Sequence, residues 1–296
     1  MREYIFTDLA CELPLGQEDG GDLAWEEERS SETIRVLRSK IETEEEERHY
    51  RRKRGTYVTV LCSPIWQMKE AAFAELGGRL AGELRDMIRA LTGIDQMNES
   101  VSVLVAGLGN AGITADALGP ATVEKITVTR HLFDLYGMRS KRGRCAVSAM
   151  IPGVLGNTGI ETAELIRGAV ETVNPDVLIA VDSLVAKGWE RIASTVQLCD
   201  TGLSPGSGIG NLRRELRRET VGVPVIALGV PTVVSSSTLI AQALTAGGIS
   251  EIPPEMKVLL QNGTNFFVTP KETDLIVRSV SHLLASAIDQ ACTAEE

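Results

Sequence analysis

From residue 55 onward, two hydrophobic patterns alternate along the chain. Short apolar or β-branched runs stand at 56–62 (TYVTVLC), 101–107 (VSVLVAG), 145–150 (CAVSAM), 176–182 (DVLIAVD), 194–200 (STVQLCD), 223–230 (VPVIALGV) and 265–269 (NFFVT). Their length and residue types predict strands, and the uninterrupted runs suit strands covered on both faces. Between them the period changes to that of a helix. Over 69–91, Leu76, Leu80, Leu84, Met87, Ile88 and Leu91 recur on one face. Further helices are predicted over about 116–135, 160–172, 212–220, 235–246 and 271–291, the last with Leu275, Val280, Leu283, Leu284 and Ile288 on one side. Strands alternating with helices predict an α/β fold over 55–296: one domain with a mainly parallel central sheet flanked by helices.

Residues 9–54 have a different texture. They are rich in charge and close on EEEERHYRRKR, acid followed by base. Glu-to-Arg pairs one turn apart predict a solvated helix there.

Composition narrows the classes. Hydrophobic residues make up 43% of the 296 but aromatics only 4%, so the core must be built from Ala, Val, Leu and Ile. A net charge of −10 argues against a general nucleic-acid binder, which needs a basic face. The five cysteines, at 11, 62, 145, 199 and 292, form no C-x-x-C pair, so reduced thiols and a cytoplasmic location are expected. No stretch reaches the roughly 18 apolar residues of a membrane helix, and no membrane partner is expected.

Four stretches carry candidate chemistry. GLGNAG (107–112) has the spacing of a dinucleotide fingerprint, but Gly119 and Pro120 fall in the presumed first helical turn and no acidic residue ends a second strand beyond it. A dinucleotide-binding α/β enzyme is therefore a lesser alternative to a glycine turn. Asp116 follows the strand 101–107 and Asp182 ends the strand 176–182. In an open parallel sheet both would lie at the carboxyl edge, where ligands bind. Two carboxylates brought close cannot both ionise easily, so one keeps its proton, and the pair can divide acid and base work on a water and a carbonyl. The loop DTGLSPGSGIGN frees the backbone at Gly202, Gly206, Gly208 and Gly210 to aim several N–H groups at a substrate backbone or an oxyanion. The stretch PGVLGNTGIET (152–162) is another glycine-containing turn before a helix. The three histidines, at 49, 131 and 282, lie in no G-x-S-x-G or H-E-x-x-H context. No cofactor is expected. A divalent metal held by carboxylates stays open, with metal-assisted proteolysis by the same Asp116 and Asp182 as the alternative mechanism.

At these motifs the chain resembles the germination protease family of spore-forming bacteria. GLGN with Thr114 and DALGP (116–120), VTRHLF (128–133), SAM (148–150) with PGVLGNTGIET, IAVDSL (179–184), DTGLSPGSGIGN, GVPVIALGVPTVV and VTPKETD (268–274) follow in that family's order. The resemblance implies a fold similar to hydrogenase maturation proteases and an endopeptidase that starts the degradation of small acid-soluble spore proteins at germination. It implies two essential aspartates, Asp116 and Asp182, a homotetramer in the spore core, and a zymogen that cuts itself within Thr7-Asp8-Leu9-Ala10. Residues 1–8 would then be a pro-segment and Asp8–Leu9 the scissile bond. The chain departs from the family's usual residues at Ala115 (usually Pro), Ser183 (usually Ala), and Ser235 and Ser236 (usually Asp-Ala).

Overall fold

The structure is a computed structural model that describes residues 7–12, 25–50, 52–98, 100–136, 143–204, 214–249, 256 and 266–294. Nine strands form one sheet: β1 (Glu26–Arg29), β2 (Arg35–Ile41), β3 (Gly55–Leu61), β4 (Ser102–Gly107), β5 (Ala146–Met150), β6 (Val177–Ala186), β7 (Thr195–Cys199), β8 (Val225–Ser235) and β9 (Phe267–Val268). Their order is β1-β2-β3-β7-β8-β6-β4-β5, with β9 paired to the far end of β8. The helices are α1 (Glu44–Tyr50), α2 (Glu70–Thr92), α3 (Leu118–Val123), α4 (Arg130–Tyr136), α5 (Leu155–Thr158), α6 (Thr162–Val173), α7 (Arg218–Val221), α8 (Ser236–Ala246) and α9 (Thr273–Ala291).

The α/β class is as expected, but the sheet is mixed rather than mainly parallel. Three pairings are parallel, β8 with β6, β6 with β4, and β4 with β5. The hairpin-like run β1, β2, β3 and then β7 joins β8 antiparallel. Only β1 and β2 are joined by a short connection, which permits only antiparallel neighbours; the other antiparallel pairs join strands separated by a helix or by long stretches of chain. The charged N-terminal region thus contributes two strands besides its predicted helix, which is only α1.

Alternation along each strand divides the core. Val103, Val105, Ile179 and Val181 face α2, α3 and α9. Leu104, Ala106, Leu178 and Ala180 face the other side, against Ile166 and Val170 of α6. Burial on both faces is the reason these strands read as continuous apolar runs. Between β2 and α2, the nearly buried Glu83 is held by Arg38 and by Arg79 one turn before it.

Several boundaries moved for tertiary reasons. The helix expected over 116–135 is broken into α3 and α4. Thr127 at the break donates through its N–H and hydroxyl to Asp289 of α9, and Thr129 donates through its hydroxyl to the Cys145 carbonyl. The helix expected over 212–220 is limited to α7 among the described residues, because Leu216 exchanges backbone hydrogen bonds with Leu203. Strand β6 runs four residues past Asp182, with a register shift between Leu184 and Val185. All five cysteines are free. No helix among the described residues is long and apolar enough to cross a membrane.

Candidate active site

Strand β4 stops at Gly107, opposite Val181 of β6. Asp182 is therefore the first residue of β6 beyond the end of β4. It does not end its own strand, but it does sit at the carboxyl edge of the shorter neighbour, where the chain leaving β4 can cross over it. That chain turns through Gly109, at φ +107°, and returns as a single 3-10 turn, Thr114–Asp116. A Cβ on Gly109 would lie 2.0 Å from the Asp116 carbonyl oxygen, so the glycine is required by the close approach of its own loop. Gly119 of α3 lies equally close to Leu108 and Val181: a Cβ there would meet their backbone oxygens at 2.3 and 2.6 Å. The glycines of GLGNAG and ALGP thus let the Asp116 turn and α3 press onto the edge of the sheet.

Asp116 is held firmly. One carboxylate oxygen accepts from the Asn110 N–H at 2.8 Å, and its own N–H donates to Ile113 O at 2.8 Å. The Thr232 hydroxyl of β8 donates to Ala115 O at 2.6 Å, which ties the turn to the sheet. Asp116 does not cap α3, whose N-cap is Ala117 without a side-chain bond.

Asp182 is 9% exposed and accepts one hydrogen bond, from Ser183 N–H at 2.9 Å. Its carboxyl is pushed well above the ordinary aspartate range. Burial is the main cause, followed by the negative charge of Asp116 and then that of Asp8. Such a placement favours the protonated form of the carboxyl.

Asp8 comes from the far N-terminal segment. It binds β6 just past the register shift: its N–H donates to Val185 O and its carboxylate accepts from Val185 N–H, both at 2.9 Å. Glu12 secures the same segment by accepting from the Lys187 and Gly188 N–H groups. Leu9 is fully buried in the main core. Asp8, Asp116 and Asp182 line one cavity of about 700 Å³, together with Gly202, Thr232 and Arg217.

Of the predicted glycine loop, only Gly202 can be placed. It has φ +78° and packs a Cβ position 2.0 Å from Leu216 O, so it forms the turn that lets Leu203 and Leu216 pair. Gly206, Gly208 and Gly210 lie outside the described residues. Among the described residues, no group of three or more His, Cys, Asp or Glu is placed to hold a metal ion.

Sequence reasoning missed Gln197 and Arg52. Gln197 on β7 is almost buried, and both atoms of its amide touch the segment around Asp8. Arg52 reaches the Asp8 carbonyl. The available signal was a lone amide in the apolar run STVQLCD, since a buried polar side chain must have a partner.

The profile of the germination protease family, peptidase family A25, matches residues 16–246. The germination protease of Clostridium acetobutylicum is 36% identical over 313 residues, covering 97% of this chain and 94% of its own. That of Bacillus pumilus is 36% identical over 353 residues, covering 97% and 93%. That of Caldanaerobacter subterraneus is 36% identical over 312 residues, covering 97% and 94%. With a profile that spans most of the chain and relatives aligned nearly end to end, this protein is a protease of the germination protease family.

Proposed function

We propose that the chain is an endopeptidase that hydrolyses its substrate by direct attack of water, with Asp116 and Asp182 as the working pair. The observation that carries this reading is that the buried Asp182 and Asp116 line one cavity, with the Asp182 carboxyl pushed above the ordinary aspartate range by burial and by the charge of Asp116. Asp116, as carboxylate, takes a proton from water, and the water oxygen bonds to the carbonyl carbon. The carbonyl π pair moves to its oxygen, which takes the proton of Asp182. In the collapse, that oxygen returns its proton to Asp182, the C–N bond breaks, and the proton on Asp116 passes to the leaving nitrogen. Both carboxyls end as they began, and one water has been consumed.

The same reading makes Asp8–Leu9 the bond cut in self-processing of a zymogen. Support comes from the docking of Asp8 in the cavity, where its N–H donates to Val185 O and its carboxylate accepts from Val185 N–H. Small acid-soluble spore proteins are the proposed substrate, the spore core the proposed location and a homotetramer the proposed assembly. A disordered substrate would enter the cleft extended. The test is to incubate the purified chain with a small acid-soluble spore protein, with and without chelator, and to follow fragments by mass spectrometry. Discrete cuts indifferent to chelator support the two-carboxylate mechanism. Cuts abolished by chelator transfer the carboxylates to a metal, and no cuts overturn the reading.

A further inference from the structure

We propose that Gln197, with Arg52 beside it, is the donor that polarises the carbonyl of the bond to be cut. This rests on the reading that Asp8–Leu9 is the processed bond, and it assigns that bond an oxyanion site.

Gln197 lies in β7 between the buried Val196 and Leu198, and is itself only 8% exposed. Its amide spans the Asp8–Leu9 bond. Nε2 donates to Asp8 O at 3.2 Å, and Oε1 accepts from Ala10 N–H at 2.5 Å. The orientation of the amide follows from its partners: a backbone N–H can only donate and a carbonyl can only accept, so the reverse orientation would satisfy neither. An Arg52 guanidinium nitrogen is a second donor to the same Asp8 oxygen, at 3.5 Å. Both donors line the same cavity as Asp116 and Asp182.

The sheet register sets acid and donor in one row. Asp182 and Gln197 are each opposite Gly229, on either side of β8. The place a Gly229 side chain would take is filled by the side chain of Leu184, which lines the same cavity as Asp8, Asp182 and Gln197. When water adds, the electron pair of the C=O bond moves to the oxygen. Donors already aimed at that oxygen stabilise the charge that builds on it until the Asp182 proton is transferred, and neither Gln197 nor Arg52 gives up a proton.

A simple clamp is the competing role. Holding the segment, however, is already served by the two Asp8–Val185 bonds, by the Glu12 bonds to 187 and 188, and by burial of Leu9. The two roles differ in what a substitution does. Gln197→Glu keeps an acceptor for Ala10 N–H but replaces the donor to the Asp8 carbonyl with an oxygen.

The experiment uses the full chain. Self-cleavage at Asp8–Leu9 is timed by mass spectrometry in the wild type, Gln197→Glu, Asp116→Asn and Asp182→Asn, and docking of the segment is read from hydrogen exchange at the Asp8 amide. Cleavage of a small acid-soluble spore protein is followed in parallel. The expected result for Gln197→Glu is a rate about 10²–10³-fold lower with the Asp8 amide still protected, the loss typical of removing one oxyanion donor. Gln197→Asn, too short to reach the carbonyl, should lose the rate similarly. The proposal is overturned by a Gln197→Glu rate within threefold of the wild type, or by a loss of protection that matches the loss of rate. It is also overturned if the wild type cuts the spore protein but never its own Asp8–Leu9 bond, an outcome that leaves the protease reading standing. Wild-type rates in both aspartate variants would instead remove the two-carboxylate mechanism.

Discussion

Asp182 and Gln197 stand in one row of the sheet, each directly opposite Gly229. With strands about 4.8 Å apart, their backbones are separated by roughly 10 Å, with Gly229 between them and the Leu184 side chain over that glycine. Both polar side chains are nearly buried, and both line the same cavity. Buried polar groups cost stability unless paired, and the partners here are Ser183 for one and the Asp8 to Ala10 segment for the other.

Asn in place of either carboxyl should end proteolysis while keeping the fold. Asp116→Asn removes the base and Asp182→Asn the acid, and each change should lower cleavage of a spore protein at least about a thousandfold. Fragment analysis by mass spectrometry reads the loss, and far-UV circular dichroism shows that the sheet and helices persist.

The raised pKa of Asp182 has a consequence for stability against pH. Its ordinary value, taken for the unfolded chain, is 3.8, and burial with two anionic neighbours holds the folded value well above that. Below pH 3.8 both states bind the proton. Between 3.8 and the folded value only the folded state does, so stability falls as pH rises, by about 1.4 kcal/mol per pH unit. Asp182→Asn lacks this slope. Urea unfolding at rising pH above 4 should show the variant gaining on the wild type. Parallel curves would contradict the retained proton.

Gly119→Ala should be severe although its backbone is helical. The added Cβ meets backbone atoms of Leu108 and Val181 rather than a movable side chain, so α3 must lift from the sheet. A loss of about 3 kcal/mol or more is expected, measurable as a lowered urea midpoint, together with weaker proteolysis as the Asp116 turn moves with α3.

Thr232→Val removes the hydroxyl that holds Ala115 O while keeping the shape of the side chain. The orphaned carbonyl should cost about 1–2 kcal/mol. The turn would place Asp116 less firmly, so kcat should fall about tenfold with KM little changed, since misplacement by an ångström can cost about a hundredfold. Steady-state kinetics on a spore protein checks it.

The sequence by itself determined the elements that depend on local pattern and burial. Strands β4, β6, β7 and β8 are legible because a strand covered on both faces must be apolar at every position, and α2 and α9 because one face of each must be. The order of motifs also pointed to Asp116, Asp182 and Asp8 before any geometry was known. The tertiary structure alone decided what depends on register and on distant partners. Nothing local says that β3 and β7 pair antiparallel and make the sheet mixed, or that Thr127 breaks a helix to reach Asp289. Nor could spacing show that residue 8 would dock on residue 185, or that Gln197 would sit across a glycine from Asp182. Such contacts join segments far apart in the chain, and their free energy is gained only when the whole sheet closes around them.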